Sequence, residues 1–413
     1  MENLYIVGAG MTKFGRHAAR SIKSLTAEAV QAACDDARIG LEKIQAAYFG
    51  NVTQGYFENQ VCIPGQIALL SMGFSGIPIY NVESACATGS MALHLALKHL
   101  RAGDGEIVLA VGAEKLNYPD RAKTLAFFDS GWDVSTAEEN YARLCKLGEG
   151  VEVPAEFRRD APYSRFMEVY GAWCRYYMKH FSLTERQLAI VAAKNHEHSQ
   201  HNPYAQYCKP YTVDEVLASA PVVYPLRTLM CAPTTDGAAA AIVCTEKALT
   251  TYGFDKHRAI RVRASVIRSA SHREYEDMAS HACRLAAMEA YEVAGLGPDD
   301  MDLAEVHDAS AMGEIVQADN LGFCNIGDGG LLAESGATRI GGRIPINPSG
   351  GLECRGHPIG ATGLGQVFEL VTQLRGEAGK RQVEGARVAI QENGGGLFGV
   401  EEGSAHIGIL SRD

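Results

Sequence analysis

The constraint that narrows the fold most is an alternation of short apolar strand patterns with helix patterns, met twice along the chain. In the first pass, strand patterns fall at residues 5–10, 46–52, 77–82 and 106–113, with helix patterns at 25–39, 60–72 and 86–101 between them. In the second pass, strand patterns fall at 261–267, 303–306, 388–391, 396–400 and 406–410, and helix patterns at 276–293, 310–321 and 358–374. Helices that return the chain between strands imply an α/β fold with a parallel-rich sheet covered on its faces. Two halves of similar rhythm suggest an internal duplication, although no strong residue-level repeat is visible.

Between the halves, residues 116–227 break the pattern. This stretch is rich in charge, aromatics and turns, as in Phe127-Phe128-Asp129, Trp132 and Arg158-Arg159-Asp160. Two helix patterns follow at 164–180 and 185–198, and Ser182-Leu183-Thr184-Glu185 fits a capping box for the second. A long insertion on an α/β core usually covers the active site. The apolar run 236–243 then resumes the first half.

Length and charge exclude several classes of function. At 413 residues the chain is too long for one simple core. A net charge of -11 argues against nucleic acid as the main partner, because phosphate binding needs a basic face. A local patch could still hold an anionic cofactor. No run approaches the ~20 apolar residues of a membrane span. The opening Met1-Glu2-Asn3-Leu4-Tyr5 places an acid where a signal peptide needs a base. The 11 cysteines form no C-x-x-C pair, so reduced thiols and a cytoplasmic location are expected.

The chemistry concentrates in two segments. Asn81-Val82-Glu83-Ser84-Ala85-Cys86-Ala87-Thr88-Gly89-Ser90 joins a strand to an apolar helix through a tight turn of small residues. That order puts Cys86 at or next to a helix N-terminus, where free N–H groups and the helix dipole favour a thiolate. In Gly350-Gly351-Leu352-Glu353-Cys354-Arg355-Gly356-His357-Pro358-Ile359-Gly360, His357 is pinned between glycine and proline at a helix start. An imidazole so held can take a proton from a thiol and return it. By contrast, His196-Glu197-His198-Ser199-Gln200-His201 lacks a shared face and a completing ligand, so it reads as a solvated helix end and no metal is expected. Gly8-Ala9-Gly10 is a strand-end turn without the third glycine of a dinucleotide site. Arg121, Lys123, Arg158 and Arg159 could meet the phosphates of an anionic ligand, although such charges are usually a solvated face.

Taken together, residues 81–90, 236–243, the Gly-His-Pro segment and Gly394-Gly395-Gly396 resemble the thiolase superfamily over nearly the whole chain. Val306-His307-Asp308-Ala309-Ser310 most resembles the thiolases related to sterol carrier protein and lipid transfer, where degradative and biosynthetic thiolases carry Asn-Glu-Ala-Phe. The resemblance implies a thiolase fold of two βαβαβαββ halves in five layers with an inserted loop domain. The halves would be 1–115 with 228–255, carrying the nucleophile, and 256–413, carrying His307 and His357; the insertion would be 116–227. It implies an acyl-enzyme on Cys86, activation by His357, and an oxyanion-hole or water-positioning place for His307. The backbone amides of Cys86 and of Gly394, Gly395 and Gly396 would cradle the acyl oxyanion, where one donor is worth ~3 kcal/mol in the barrier.

The chain also departs from the family. Ordinary thiolases carry a second cysteine two residues before the late glycines, where this chain has Glu392. The sterol-carrier type often moves it into the His-Asp motif, where this chain has Ala309. Cys354, three residues before His357, and Glu392 are the two alternative candidates for the missing acid/base.

The expected activity is making or breaking the carbon–carbon bond of a 3-ketoacyl-CoA, with coenzyme A as co-substrate and no permanently bound cofactor. Alternatives on the same fold are a retro-aldolase or C-acyltransferase, and a non-catalytic acyl-CoA-binding scaffold. The resemblance further implies a homodimer or homotetramer. It also makes plausible a small zinc-ribbon/OB-fold partner subunit, as in benzoylsuccinyl-CoA thiolases.

Overall fold

A computed structural model describes residues 2–158 and 164–412. The first half runs β1 (Leu4–Met11), α1 (Ile22–Ala37), β2 (Ala46–Gly50), α2 (Gln54–Glu58), α3 (Pro64–Leu70), β3 (Ile79–Val82), α4 (Thr88–Ala102) and β4 (Ile107–Glu114). Next come α5 (Arg121–Phe128), α6 (Ala137–Lys146), α7 (Arg165–Phe181), α8 (Glu185–Ser199), α9 (Val213–Leu217) and the hairpin β5 (Pro221–Val223) and β6 (Leu226–Arg227). The first half closes with β7 (Gly237–Thr245) and α10 (Glu246–Thr251). The second half runs β8 (Ile260–Ser269), α11 (Ala282–Ala294), β9 (Leu303–Glu305), α12 (Ala311–Asn320), α13 (Gly329–Glu334), α14 (Gly351–Arg355), α15 (Thr362–Leu374), β10 (Val388–Gly395) and β11 (Ser404–Ser411).

The main strands form one sheet in the order β3-β2-β4-β7-β1-β8-β11-β10-β9. Its two halves meet at a short seam, where Tyr5 pairs with Arg261 and Ile6 with Ile260. The sheet is mixed rather than parallel-rich. Only β2–β3, β2–β4 and β9–β10 are parallel among the described pairings, because β7 and β11 enter antiparallel to their neighbours.

Side-chain alternation along the strands builds the layers. On β1, Leu4 and Ile6 face a core shared with α4 and α15, whereas Tyr5 and Val7 face α1. In the second half, Leu303 and Ala389 join the α4–α15 core, whereas Ala304 and Ile390 pack with α11 and α12 residues. The result is helix, sheet, helix, sheet, helix, with α4 and α15 in the middle. Leu93, Leu97, Leu364 and Leu370 are buried there, each worth about 1.5–3 kcal/mol.

The halves interlock at one close approach. A Cβ on Gly112 would lie 2.1 Å from the Gly360 carbonyl oxygen, so this point of β4 tolerates only glycine. The segment carrying His357 is thereby seated on the first half. The insertion packs elsewhere: Trp132, Val169, Trp173 and Leu188 form a core with Ala311, Met312 and Ile315 of α12.

Three local expectations are corrected. The 60–72 helix pattern is a shorter helix, α3, which Pro64 starts and which ends at Leu70; a separate short helix, α2, precedes it and closes at Asn59 in the left-handed region. Residues 396–400 are a turn, not a strand: β10 runs on to Gly395, and Gly396 and Gly399 adopt positive φ that reverses the chain towards β11. The capping box of α8 is Thr184 with Gln187, whereas Ser182, at φ 58°, terminates α7. No described helix is long and apolar enough to cross a membrane.

Candidate active site

The turn after β3 is held by short-range hydrogen bonds. Ala85 takes a left-handed φ of 46°, a conformation costly for a residue with a Cβ. Thr88 offsets it: its Oγ1 accepts the Ser84 N–H at 2.8 Å and donates to the Ala85 carbonyl at 2.7 Å. Residues Ala85–Ala87 form a single 3₁₀ turn, and α4 starts at Thr88. Cys86 therefore sits at the head of a central helix, beside an apolar wall that includes Leu116, Phe127, Phe128 and Ile359.

The second half brings two imidazoles to this sulfur. His357 Nε2 is 3.3 Å from Cys86 Sγ. Its Nδ1 is 2.6 Å from Thr362 Oγ1, and Thr362 donates its own proton to the Pro358 carbonyl at 3.1 Å. Thr362 thus accepts from Nδ1–H, which leaves the Nε2 lone pair facing the thiol. His307 is fixed the same way. Its Nδ1 is 2.6 Å from the Gly394 carbonyl, which can only accept. The rings are 5.1 Å apart, and Cys86, His307 and His357 each offer one ligand-capable atom within 4.8 Å of the others.

Burial dominates the electrostatics. It pushes the Cys86 thiol up to about 12, against the amides of Gly396 and of Cys86 itself, which pull it down. It lowers His357 well below the usual histidine range, helped by His307 and Arg355. His307 is lowered by burial too. The resting set is therefore a neutral thiol between two neutral imidazoles, not the free thiolate expected from the helix N-terminus alone. The amides act in the expected direction, but desolvation, joined by Glu114 and Glu83, outweighs them.

The other sequence candidates separate. Gly396 presents its amide to Cys86 Sγ, and Gly394 gives its carbonyl to His307. Gly395 passes so close to the Cys86 turn that a Cβ would lie 2.3 Å from the Ser84 carbonyl oxygen. Glu392 points to the opposite side of β10 from Gln391 and meets Cys283 of α11 at 3.6 Å. It touches the histidine segment only by accepting the His307 main-chain N–H at 2.8 Å. Burial, then Glu402, pushes it up to about 8. Cys354 is buried in α14, bonded to Ser199, with its thiol held well above the usual range by burial and by Glu353. It is not brought to Cys86. Lys123 lies over the rings of Tyr56 and Phe57 at 5.2 and 5.5 Å, and Arg158 donates to the Val153 carbonyl at 3.2 Å. Arg159 falls outside the described residues. His196 and His198 are not a solvated helix end: both are buried, bonded to the Leu229 and Asn347 carbonyls.

Three groups were missed in the sequence. Thr362 orients His357. Glu114 gathers Asn51, Thr53 and the Val52 N–H of the first half and the Gly360 N–H of the second. Tyr170 of α7 brings its phenol near Cys86 and Glu402. A carboxylate ending the apolar strand 107–113 was the readable signal for Glu114. Nothing local marked Tyr170.

Comparison with known proteins follows this geometry. Residues 4–247 match the family described as "Thiolase, N-terminal domain", and residues 264–411 match "Thiolase C-terminal domain-like". The chain is 37% identical over 417 residues to "Acetyl-CoA acetyltransferase" of Methanothermobacter thermautotrophicus, covering 100% of each. It is 37% identical over 403 residues to human "Sterol carrier protein 2", covering 95% of this chain and 70% of that protein. Among solved structures, "Ltp2-ChsH2(DUF35) aldolase" superposes with a TM-score of 0.77 at 22% identity, covering 100% and 98% of the two chains. Human mitochondrial 3-ketoacyl-CoA thiolase superposes with a TM-score of 0.69 at 17% identity, covering 100% and 99%. These two likenesses concern the fold alone.

Proposed function

The chain belongs to the thiolase family, and on that premise we propose that it is an acyltransferase that cleaves or forms the carbon–carbon bond of a 3-ketoacyl-CoA through an acyl-cysteine on Cys86. The observation that carries this reading is the 3.3 Å approach of His357 Nε2, lone pair inward, to Cys86 Sγ. As the sulfur attacks the 3-keto carbon, His357 takes the thiol proton, and a thiolate exists only during the attack. The carbonyl oxygen gains negative charge beside the amides of Gly396 and Cys86, which are already aimed at the sulfur. Collapse breaks the α,β bond, leaving an acyl-Cys86 and an enolate of the departing thioester. Free coenzyme A then collects the acyl group.

On this reading residues 116–227 form a loop domain over a site shared by residues 1–115 with 228–255 and residues 256–413. The DUF35 component of the similar aldolase structure supports a small zinc-ribbon/OB-fold partner subunit for this chain as well. A homodimer or homotetramer belongs to the same proposal. The test is intact-mass measurement after incubation with a panel of 3-ketoacyl-CoAs. A mass increase of one acyl group, lost in Cys86→Ala, is expected; turnover without any adduct and undiminished in Cys86→Ala would overturn the reading in favour of a retro-aldolase.

A further inference from the structure

The thiolase reaction moves two protons, one on sulfur and one on the α-carbon, and the second usual cysteine is replaced here by Glu392 and Ala309. Neither sequence substitute reaches the sulfur: Glu392 turns towards Cys283, and Cys354 is bonded to Ser199. His307 does reach the site, with a ring nitrogen within 4.8 Å of Cys86 Sγ and of a His357 ring nitrogen.

Its tautomer decides what it can do there. At 2.6 Å from the Gly394 carbonyl, an unprotonated Nδ1 would set two lone pairs against each other. The proton therefore sits on Nδ1, and Nε2 is an acceptor. A neutral imidazole in that state offers no hydrogen to an enolate oxygen, which is the role an asparagine at this place would fill. It does offer a base.

We propose that His307 is the acid/base for the substrate α-carbon, replacing the absent second cysteine. This rests on the acyl-Cys86 reading. In the condensing direction, the Nε2 lone pair takes a proton from the α-carbon of the acyl-CoA, and the C–H electron pair forms the enolate. The enolate carbon bonds to the acyl carbon on Cys86, and the C–S bond breaks with its electrons going to sulfur. The proton held on His307 passes to His357 Nε2 and from there to the sulfur, so the Cys86 thiol is restored and both rings end neutral. In the cleaving direction the same atoms run in reverse.

The experiment measures two quantities on each variant: acylation of Cys86 by intact mass, and exchange of acetyl-CoA methyl hydrogens for deuterium in D₂O. His307→Asn restores an oxygen-directed donor but removes the base. It should lower exchange and turnover by about 10²–10⁴-fold while slowing acylation far less. Exchange and turnover at wild-type level in His307→Asn would overturn the proposal, because donation alone would then suffice. Cys86→Ala keeps both rings and should still exchange; loss of exchange there assigns the carbon base to the sulfur and overturns the proposal even if His307→Asn does not fold. Failure of the wild-type protein to acylate, with exchange intact, sinks the Cys86 reading and leaves His307 as the carbon base.

Discussion

The two central helices begin alike and are used differently. Ala87-Thr88-Gly89 opens α4 and Ala361-Thr362-Gly363 opens α15, each after one 3₁₀ turn. In the first, Thr88 Oγ1 spends its acceptor capacity on the Ser84 main-chain N–H, fastening the turn that carries Cys86. In the second, Thr362 Oγ1 accepts from the His357 ring, fastening a side chain. One duplicated start thus supplies a fixed sulfur and an oriented imidazole. The lesson is that the repeat lies in three residues and a turn shape, too short to register as sequence periodicity.

The largest break in this comparison removes the reacting atoms. Cys86→Ala should abolish the acyl adduct, and His357→Ala should slow acylation by about 10²–10⁴-fold, both read by intact mass against time. Next comes the seam between the halves. Gly112→Ala drives a Cβ into the Gly360 carbonyl, so thermal unfolding should show a loss of about 1–3 kcal/mol, with slower acylation because the His357 segment shifts.

The paired threonines give a sharper, smaller contrast. Thr362→Val removes the acceptor that stabilises the imidazolium formed in the attack, so Cys86 alkylation should fall about tenfold at neutral pH. That deficit should narrow as pH climbs towards the thiol's own ionisation, and Thr362→Ser should restore the rate. Thr88→Val should instead lower stability and reactivity by a similar factor at every pH. Identical pH profiles for the two variants would remove the distinction between them.

The smallest effect concerns the buried carboxyls. Burial raises Glu392 to about 8, above its ordinary value of 4.5. A group raised on folding contributes stability that is complete below about pH 4.5 and is lost as pH rises through 8. Glu392→Gln should therefore flatten the decline, raising the melting temperature by about 1–3 °C at pH 8.5 and less at pH 6. Equal shifts at both pH values would show that Glu392 does not titrate in that window.

Much of the site was legible because it is local. Small residues before an apolar helix announce the Cys86 turn, and glycine and proline around His357 announce a rigid loop. Glu392 was legible only as a residue type at a place. Strand alternation on β10 sends it to the far face, and a single sequence does not say which face is which. Cys354 failed for a similar reason, since α14 turns its thiol towards Ser199 of α8.

The sequence alone determined the alternation that makes an α/β core, the two segments that carry sulfur and imidazole, and the missing second cysteine. These depend on neighbours along the chain. Tertiary structure alone decided that burial pushes the Cys86 thiol up, that each histidine Nδ1 meets a fixed acceptor, and that His307 comes within 4.8 Å of the sulfur. Those outcomes depend on desolvation and on contacts between residues hundreds of positions apart, which come together only once the halves close at Gly112 and Gly360.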